Sequence, residues 1–371
     1  MIVQDVMEWL EELAPLKYAE DFDNVGLLVG NRNAEVTNIL VSLDTLEAVV
    51  DEAIAHNCNL IVSFHPIIFS GLKKLNGNSY VERTVIKAIE HKIAIYAIHT
   101  ALDNHWNGVS DVLCKALGLN KRQILVPKQQ TIHKLTTFVP TKSAETVRDA
   151  LFAAGAGNIG NYSNCSFNSQ GLGSFNGNEN SNPTIGKKGE THFEEETQIT
   201  VTYQKHLESG ILQNLFKSHP YEEVAYEIIT LNNLNQHIGM GMIGELNEPI
   251  HTTDFFNHIK QSLNIPVIKH SQLCKTQIRR VAVLGGSGSF AIEAAKRAKV
   301  DLFLTSDLKY HDYFKSEDEI IIADIGHYES EQFTKNYLVD FLSKKITNFA
   351  PALQQSKVLI STTNTNPVKY F

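Results

Sequence analysis

The chain has 371 residues, of which 43% are hydrophobic and 20% charged, so two or three domains with their own cores are expected. Lys and Arg number 33 against 41 Asp and Glu, a formal net charge of −8. That balance argues against a dedicated nucleic-acid binder, which needs a basic face to neutralise phosphates. No apolar run approaches the ~20 residues of a membrane span, and the acidic amphipathic start at 1–13 is unlike a signal peptide. Cys58, Cys114, Cys165 and Cys274 form no CxxC pair and read as scattered thiols in a reducing cytoplasm.

Strand patterns at 38–43, 60–64 and 93–98 alternate with helix patterns at 45–56, 81–92 and 109–117. Strands and helices at this spacing predict a largely parallel sheet flanked by helices. From Lys128 to Asn235 the pattern changes. A strand at 134–140, a helix at 144–154, a long polar Gly/Asn/Ser tract at 155–190, a strand at 198–203, a helix at 207–218 and a strand at 224–231 predict a ferredoxin-like α+β module. Beyond 236 the first pattern resumes, with strands at 280–284, 302–305 and 319–325 and a long final helix to about 345. The expected organisation is a core from 1–127 and 236–371, with 128–235 inserted.

Residues just past the strand ends carry the chemistry. They are His65, then His99 with Asp103 and Asn104, then Asp307 with His311, then His327 with Glu331. Parallel strands point one way, so their tips are expected to share one rim of a sheet, where ligands bind in open α/β folds. His327 and Glu331, four residues apart on a helix, lie on one face. Alone, His65 reads equally as a strand-end residue hydrogen-bonded to backbone, and Asp103 or Asp307 as a turn or helix cap. Together they form a nitrogen and oxygen donor set without sulfur, suited to a divalent metal. The run Gly286-x-Gly288-x-x-Ala291 follows a strand, and its backbone N–H groups are candidates for holding phosphate. A nicotinamide site is disfavoured there, because only Asp301 approximates the ribose-binding acid.

Several runs resemble the NGG-interacting-factor-three-like family, whose members are also named GTP cyclohydrolase I type 2. They are Asp21-Phe22-Asp23-Asn24-Val25-Gly26, His65-Pro66-Ile67-Ile68-Phe69, His99-Thr100-Ala101-Leu102-Asp103, Gly239-Met240-Gly241-Met242, Asp307-Leu308-Lys309-Tyr310-His311 and Gly326-His327-Tyr328-Glu329-Ser330-Glu331. The resemblance implies a toroidal homohexamer, a trimer of dimers, with a two-metal site facing an internal cavity. It implies His65, Asp103, His327 and Glu331 as ligands to one or two divalent ions (Zn, Mn or Fe), with Glu331 bridging. Where the family carries His-His-Pro, this chain has Phe64-His65-Pro66, so one expected donor is missing. The middle module is similar to the PII- and CutA-like insert of longer members, marked by Gly171–Phe175 and His219–Tyr226. His219 and Glu222 are read there as structural, at a helix-to-strand corner.

These implications lead to a metal-dependent, GTP cyclohydrolase-like hydrolase acting on a nucleotide-like ligand. Asp307 or His311 would shuttle protons, and Asp23 and Asn24 would shape the substrate pocket. The rival reading is a non-catalytic metal-binding or regulatory hexamer with a ligand-sensing insert.

Overall fold

The apolar runs that precede His65 and His99 become neighbouring strands, Leu60–Ser63 and Ala94–Ala97, buried along their whole length. A computed structural model describes residues 1–349 and 357–370 and divides the chain into two units, 1–127 with 236–371 and 128–235.

The larger unit contains two sheets. In the first, Gly26–Val29, Ala94–Ala97, Leu60–Ser63, Ile39–Ser42 and Val358–Ile360 lie side by side in that order. Pairing is parallel throughout except at the Gly26–Val29 edge. Both faces are covered, which is why these strands read as continuous apolar runs. Val41, Val62 and Tyr96 pack on the helices Val3–Leu13 and Thr334–Phe349, through Val6, Leu10, Leu338 and Leu342. Leu40, Ile61 and Ile95 point the other way, onto Val49, Val50, Val85 and Ala88 of the helices Glu47–Ala55 and Tyr80–Glu90.

The second sheet has the order Lys269–His270, Ile321–Asp324, Leu302–Ser306, Gln277–Ser287, Asn235–His251, Asn120–Lys128. Its three central strands are parallel. Val281, Val283, Leu302 and Leu304 face the helices Val109–Ala116 and Thr252–Leu263. Ala282, Leu284, Phe303 and Ile322 face Ile292 and Ala295 of the helix Ile292–Arg297. The candidate donors therefore do not share one rim. His65 and His99 follow strands of the first sheet, and Asp307 and His327 follow strands of the second. The sequence pattern gives strand direction but not which strands pair, so the tips of two mixed sheets were read as one rim.

The smaller unit runs strand, helix, strand, strand, helix, strand from Ile132–Pro140 to Tyr226–Leu231. Its four strands pair antiparallel, with Ile132–Pro140 between Thr191–Gln204 and Tyr226–Leu231. Leu135, Val139, Ile199 and Val201 bury one face against Val147, Leu151, Ile211 and Leu215 of the two helices. The polar tract 155–190 contains the strand Phe167–Asn176, paired residue by residue with Thr191–Thr200. This strand is an exposed edge, so it has no apolar periodicity to betray it. The final helix is also interrupted. His327–Glu331 is a separate short helix ahead of Thr334–Phe349.

Glu52, on the helix Glu47–Ala55, holds the chain that follows Val358–Ile360. Its carboxylate accepts from Ser361 Oγ at 2.6 Å, Thr362 N at 2.7 Å, Thr362 Oγ1 at 2.8 Å and Thr363 Oγ1 at 2.7 Å. Burial opposes ionisation, but these bonds outweigh it and bring the carboxyl down to about 2. A carboxyl depressed on folding stabilises the fold above its unfolded pKa of about 4.3, and that stabilisation is lost as pH falls toward about 2. Glu52→Gln should therefore cost on the order of 1 kcal/mol near neutral pH, after allowance for solvent screening. The gap between the two proteins in thermal melts should narrow below about pH 4. A gap constant down to about pH 2 would contradict this account.

Candidate metal centre

The short helix His327–Glu331 starts at Gly326, whose φ of +89° is a left-handed conformation, and a Cβ there would lie 2.2 Å from Glu329 Oε2. One helical turn brings His327 Nε2 to 3.3 Å from Glu331 Oε2. His65, from the other sheet, places its own Nε2 3.1 Å from the same oxygen and 3.4 Å from His327 Nε2. Among the described residues, these three are the group whose donor atoms converge closely enough to hold one ion.

Each imidazole is oriented from behind. His65 Nδ1 lies 2.9 Å from Asp44 Oδ1, and His327 Nδ1 lies 2.6 Å from Asp307 Oδ2. A carboxylate accepting at Nδ1 fixes the tautomer that leaves a lone pair on Nε2. Two imidazole lone pairs and a carboxylate oxygen then face one another, an arrangement that requires a shared proton or a cation. The separations suit a cation. A tetrahedral ion with bonds of ~2.0–2.1 Å holds its ligands ~3.3 Å apart. Glu331 is buried, and its Oε2 accepts no well-aligned hydrogen bond. His327 is 40% exposed where Glu331 is 3% exposed, so an incoming group can reach the centre from the His327 side.

The electrostatics identify the protons that a cation would have to replace. Burial disfavours a charged His65, yet its bonds to Asp44 and Glu331 prevail and push it up to about 9. His327 is likewise pushed up to about 11 by Asp307 and Glu331, against its burial. Burial works against the Glu331 carboxylate, but the two imidazoles hold it below the usual range. Asp103, at the end of the helix His99–Asp103, goes the opposite way. Burial and then the charge of Glu331 raise it well above an ordinary carboxyl. Asp103 is thus close enough to sense the charge of Glu331, but it is not among the three converging donors.

The other expected residues take distinct places. Asp307 positions His327, and its own φ of +57° lies in the left-handed region. His311 is exposed and meets Tyr310 edge-on, and it is not among the three converging donors. Asp23 accepts from His99 Nδ1 at 2.8 Å and from Thr100 N at 3.1 Å, forming a third Asp–His pair. Asn24 donates to Ile68 O at 2.6 Å, tying down the loop that follows His65. Phe64 is fully buried, packing with Val62 and Tyr96 and edge-on to His99. Asp44 was not anticipated, although it stands two residues past the strand Ile39–Ser42 and obeys the same strand-tip rule as the others.

The glycine run after Gln277–Ser287 serves this centre sterically. A Cβ on Gly286 would lie 2.5 Å from Glu331 Oε1, and one on Gly288 would lie 2.0 Å from Thr305 Oγ1. Gly286 N donates to Ser330 Oγ at 2.9 Å, so that amide is already engaged within the fold. The glycines admit Glu331 to its position, and close packing explains them without a bound phosphate.

The DUF34/NIF3 (NGG1p interacting factor 3) profile matches residues 1–367. A Halalkalibacterium halodurans protein named GTP cyclohydrolase 1 type 2 homolog is 37% identical over 369 residues, spanning 99% of this chain and 98% of that one. A Bacillus subtilis protein of the same name is 35% identical, with 99% and 98% coverage. The crystal structure of a Bacillus cereus protein related to NIF3 is similar over 100% of this chain and 99% of its own, with a TM-score of 0.83 and 33% identity. With its full length matched by both profile and relatives, the chain belongs to the DUF34/NIF3 family.

Proposed function

We propose that this protein binds a divalent metal through His65, His327 and Glu331 and acts as a metal-dependent hydrolase on a nucleotide-like substrate. The observation that carries the proposal is the triangle of two imidazole nitrogens and one buried carboxylate oxygen, at 3.1, 3.3 and 3.4 Å. Its nitrogen and oxygen donors suit Zn, Mn or Fe. A bound ion would supply Lewis acidity and lower the pKa of water. Asp44 and Asp307 hold the rings in the ligating tautomer. Asp103 senses the charge of Glu331, and a cation would relieve the repulsion between the two carboxyls and favour Asp103 as a further donor. Asp23 orients His99, which contacts His65 edge-on and Phe69 at the mouth. The names of the relatives support cyclohydrolase-type chemistry, in which water opens a purine ring. The same proposal includes self-association into a homohexameric ring and a ferredoxin-like type for the 128–235 unit, whose order of strands and helices supports it.

Elemental analysis of the purified protein should find at least one divalent ion per chain, and a chelator should lower the melting temperature. Asp44→Asn and Asp307→Asn, which remove only the orienting carboxylates, should weaken metal affinity by about 10–100-fold. Full affinity in both variants would show that the rings are not held in place this way. A protein free of metal whose stability ignores chelators would remove the proposal.

Against a panel of purine and pyrimidine nucleotides, metal-supplemented protein should turn over at least one, and His327→Ala should abolish that turnover. His311→Ala, which removes a candidate proton shuttle, should lower it. Activity that survives His327→Ala would exclude the proposed centre. Metal binding without turnover of any nucleotide would favour the binding or regulatory reading.

A further inference from the structure

The 128–235 unit contains a cavity of about 640 Å³, within the size range of sites for small organic ligands. Its walls are the edge strand Phe167–Asn176, the loop that follows it and the corner at 220–225. Phe138, Leu172, Phe175 and Tyr221 supply apolar and aromatic surface. Glu196, Glu222 and Glu223 supply carboxylates, and no Lys, Arg or His lines the space among the described residues.

The walls are tied together. Tyr221 donates through its hydroxyl to Glu196 Oε1 at 2.9 Å, and its ring meets Phe175 edge-on at 5.7 Å. Gly173 leaves room for the Glu196 carboxylate, because a Cβ there would lie 2.2 Å from Oε2. Asn182 N donates to Glu222 Oε1 at 2.6 Å, and Thr184 Oγ1 donates to Pro220 O at 2.7 Å, fastening the loop to the corner. His219 stands behind that corner, with Nε2 at 3.0 Å from Phe138 O and Nδ1 accepting from Tyr221 N at 3.1 Å.

Charge complementarity selects the occupant. Carboxylates without a cation among them repel phosphates and carboxylic acids, so this is not a second nucleotide site. The carboxylates also do not converge as metal ligands do, since the converging group among the described residues is the one around Glu331. Dispersed carboxylates beside aromatic rings suit a bulkier cation, whose ammonium donates to a carboxylate while its flat body lies on the rings. We propose that the cavity binds an organic ammonium ion with a flat apolar body. The inference is independent of the metal centre and of the hydrolase reading.

The test uses the full-length protein and three probes of one shape but different charge: tryptamine, tryptophol and indole-3-acetate, titrated by calorimetry. Tryptamine should bind saturably, at least about tenfold more tightly than neutral tryptophol, on the scale of one charge-assisted hydrogen bond. Indole-3-acetate should not bind. Glu196→Gln should weaken tryptamine by about tenfold. Leu172→Lys, at an exposed position that folding does not need, should abolish binding by placing a cation at the mouth. His327→Ala should leave it unchanged, which locates the probe away from the metal centre. The proposal is overturned if tryptamine does not bind, if indole-3-acetate binds equally, or if Leu172→Lys binds tryptamine like the parent.

Discussion

The centre depends on the mutual approach of three electron-pair donors that have no reason to meet unless something positive lies between them. His65 arrives from one sheet, and His327 with Glu331 from the other. Their contact distances are fixed by the packing of two independent cores rather than by any local preference. Isolated, such a contact would be unfavourable, because burying an unpaired carboxylate oxygen carries a large desolvation cost. The orienting bonds from Asp44 and Asp307 make the arrangement rigid. They remove the easy escape of rotating an imidazole to donate its own N–H into the gap.

Much of the surrounding sequence is explained by this approach. Glycine is required at 286 because Glu331 Oε1 occupies the space of a side chain, and at 288 because Thr305 does. Ser330 turns its hydroxyl to accept from Gly286 N, joining the short helix to the strand that faces it. His99 and Asp307 carry φ values of +28° and +57°, sparsely populated conformations for residues other than glycine. Both follow strand ends, and both engage in Asp–His pairs. Backbone strain at these two strand ends is offset by the packed strands behind them.

The legible part of the sequence was the part governed by burial. Leu60–Ser63, Ala94–Ala97 and Leu302–Ser306 are buried on both faces and announce themselves as apolar runs. Their tips then point to His65, His99 and Asp307. Strands shaped by pairing alone were not legible. Phe167–Asn176 has neither face buried, and Asn235–His251 combines glycines and polar residues with its buried positions. The division into two sheets was hidden because pairing partners are a long-range property with no local signature. Asp44 was visible in principle, as the carboxylate past the strand Ile39–Ser42, but its role emerges only when Thr365 and His65 are seen to flank it. His327 and Glu331 were recognisable because helical spacing is local, whereas the convergence of His65 on His327 joins residues 262 positions apart along the chain.

Phe64 and the carboxylates bear on how many charges this region can tolerate. Asp23, Asp44, Asp103, Asp307 and Glu331 lie around His65, His99 and His327, and among the described residues none of the five pairs with Lys or Arg. If the three imidazoles are neutral, the region carries an uncompensated negative charge. If they are protonated, the region is nearer balance but the imidazoles cannot ligate. Phe64, wholly buried beside His65, offers neither a donor nor a charge to either state. A divalent cation would resolve the conflict in one step: it would leave the imidazoles neutral and ligating, offset the carboxylates, and use the three donors that already converge.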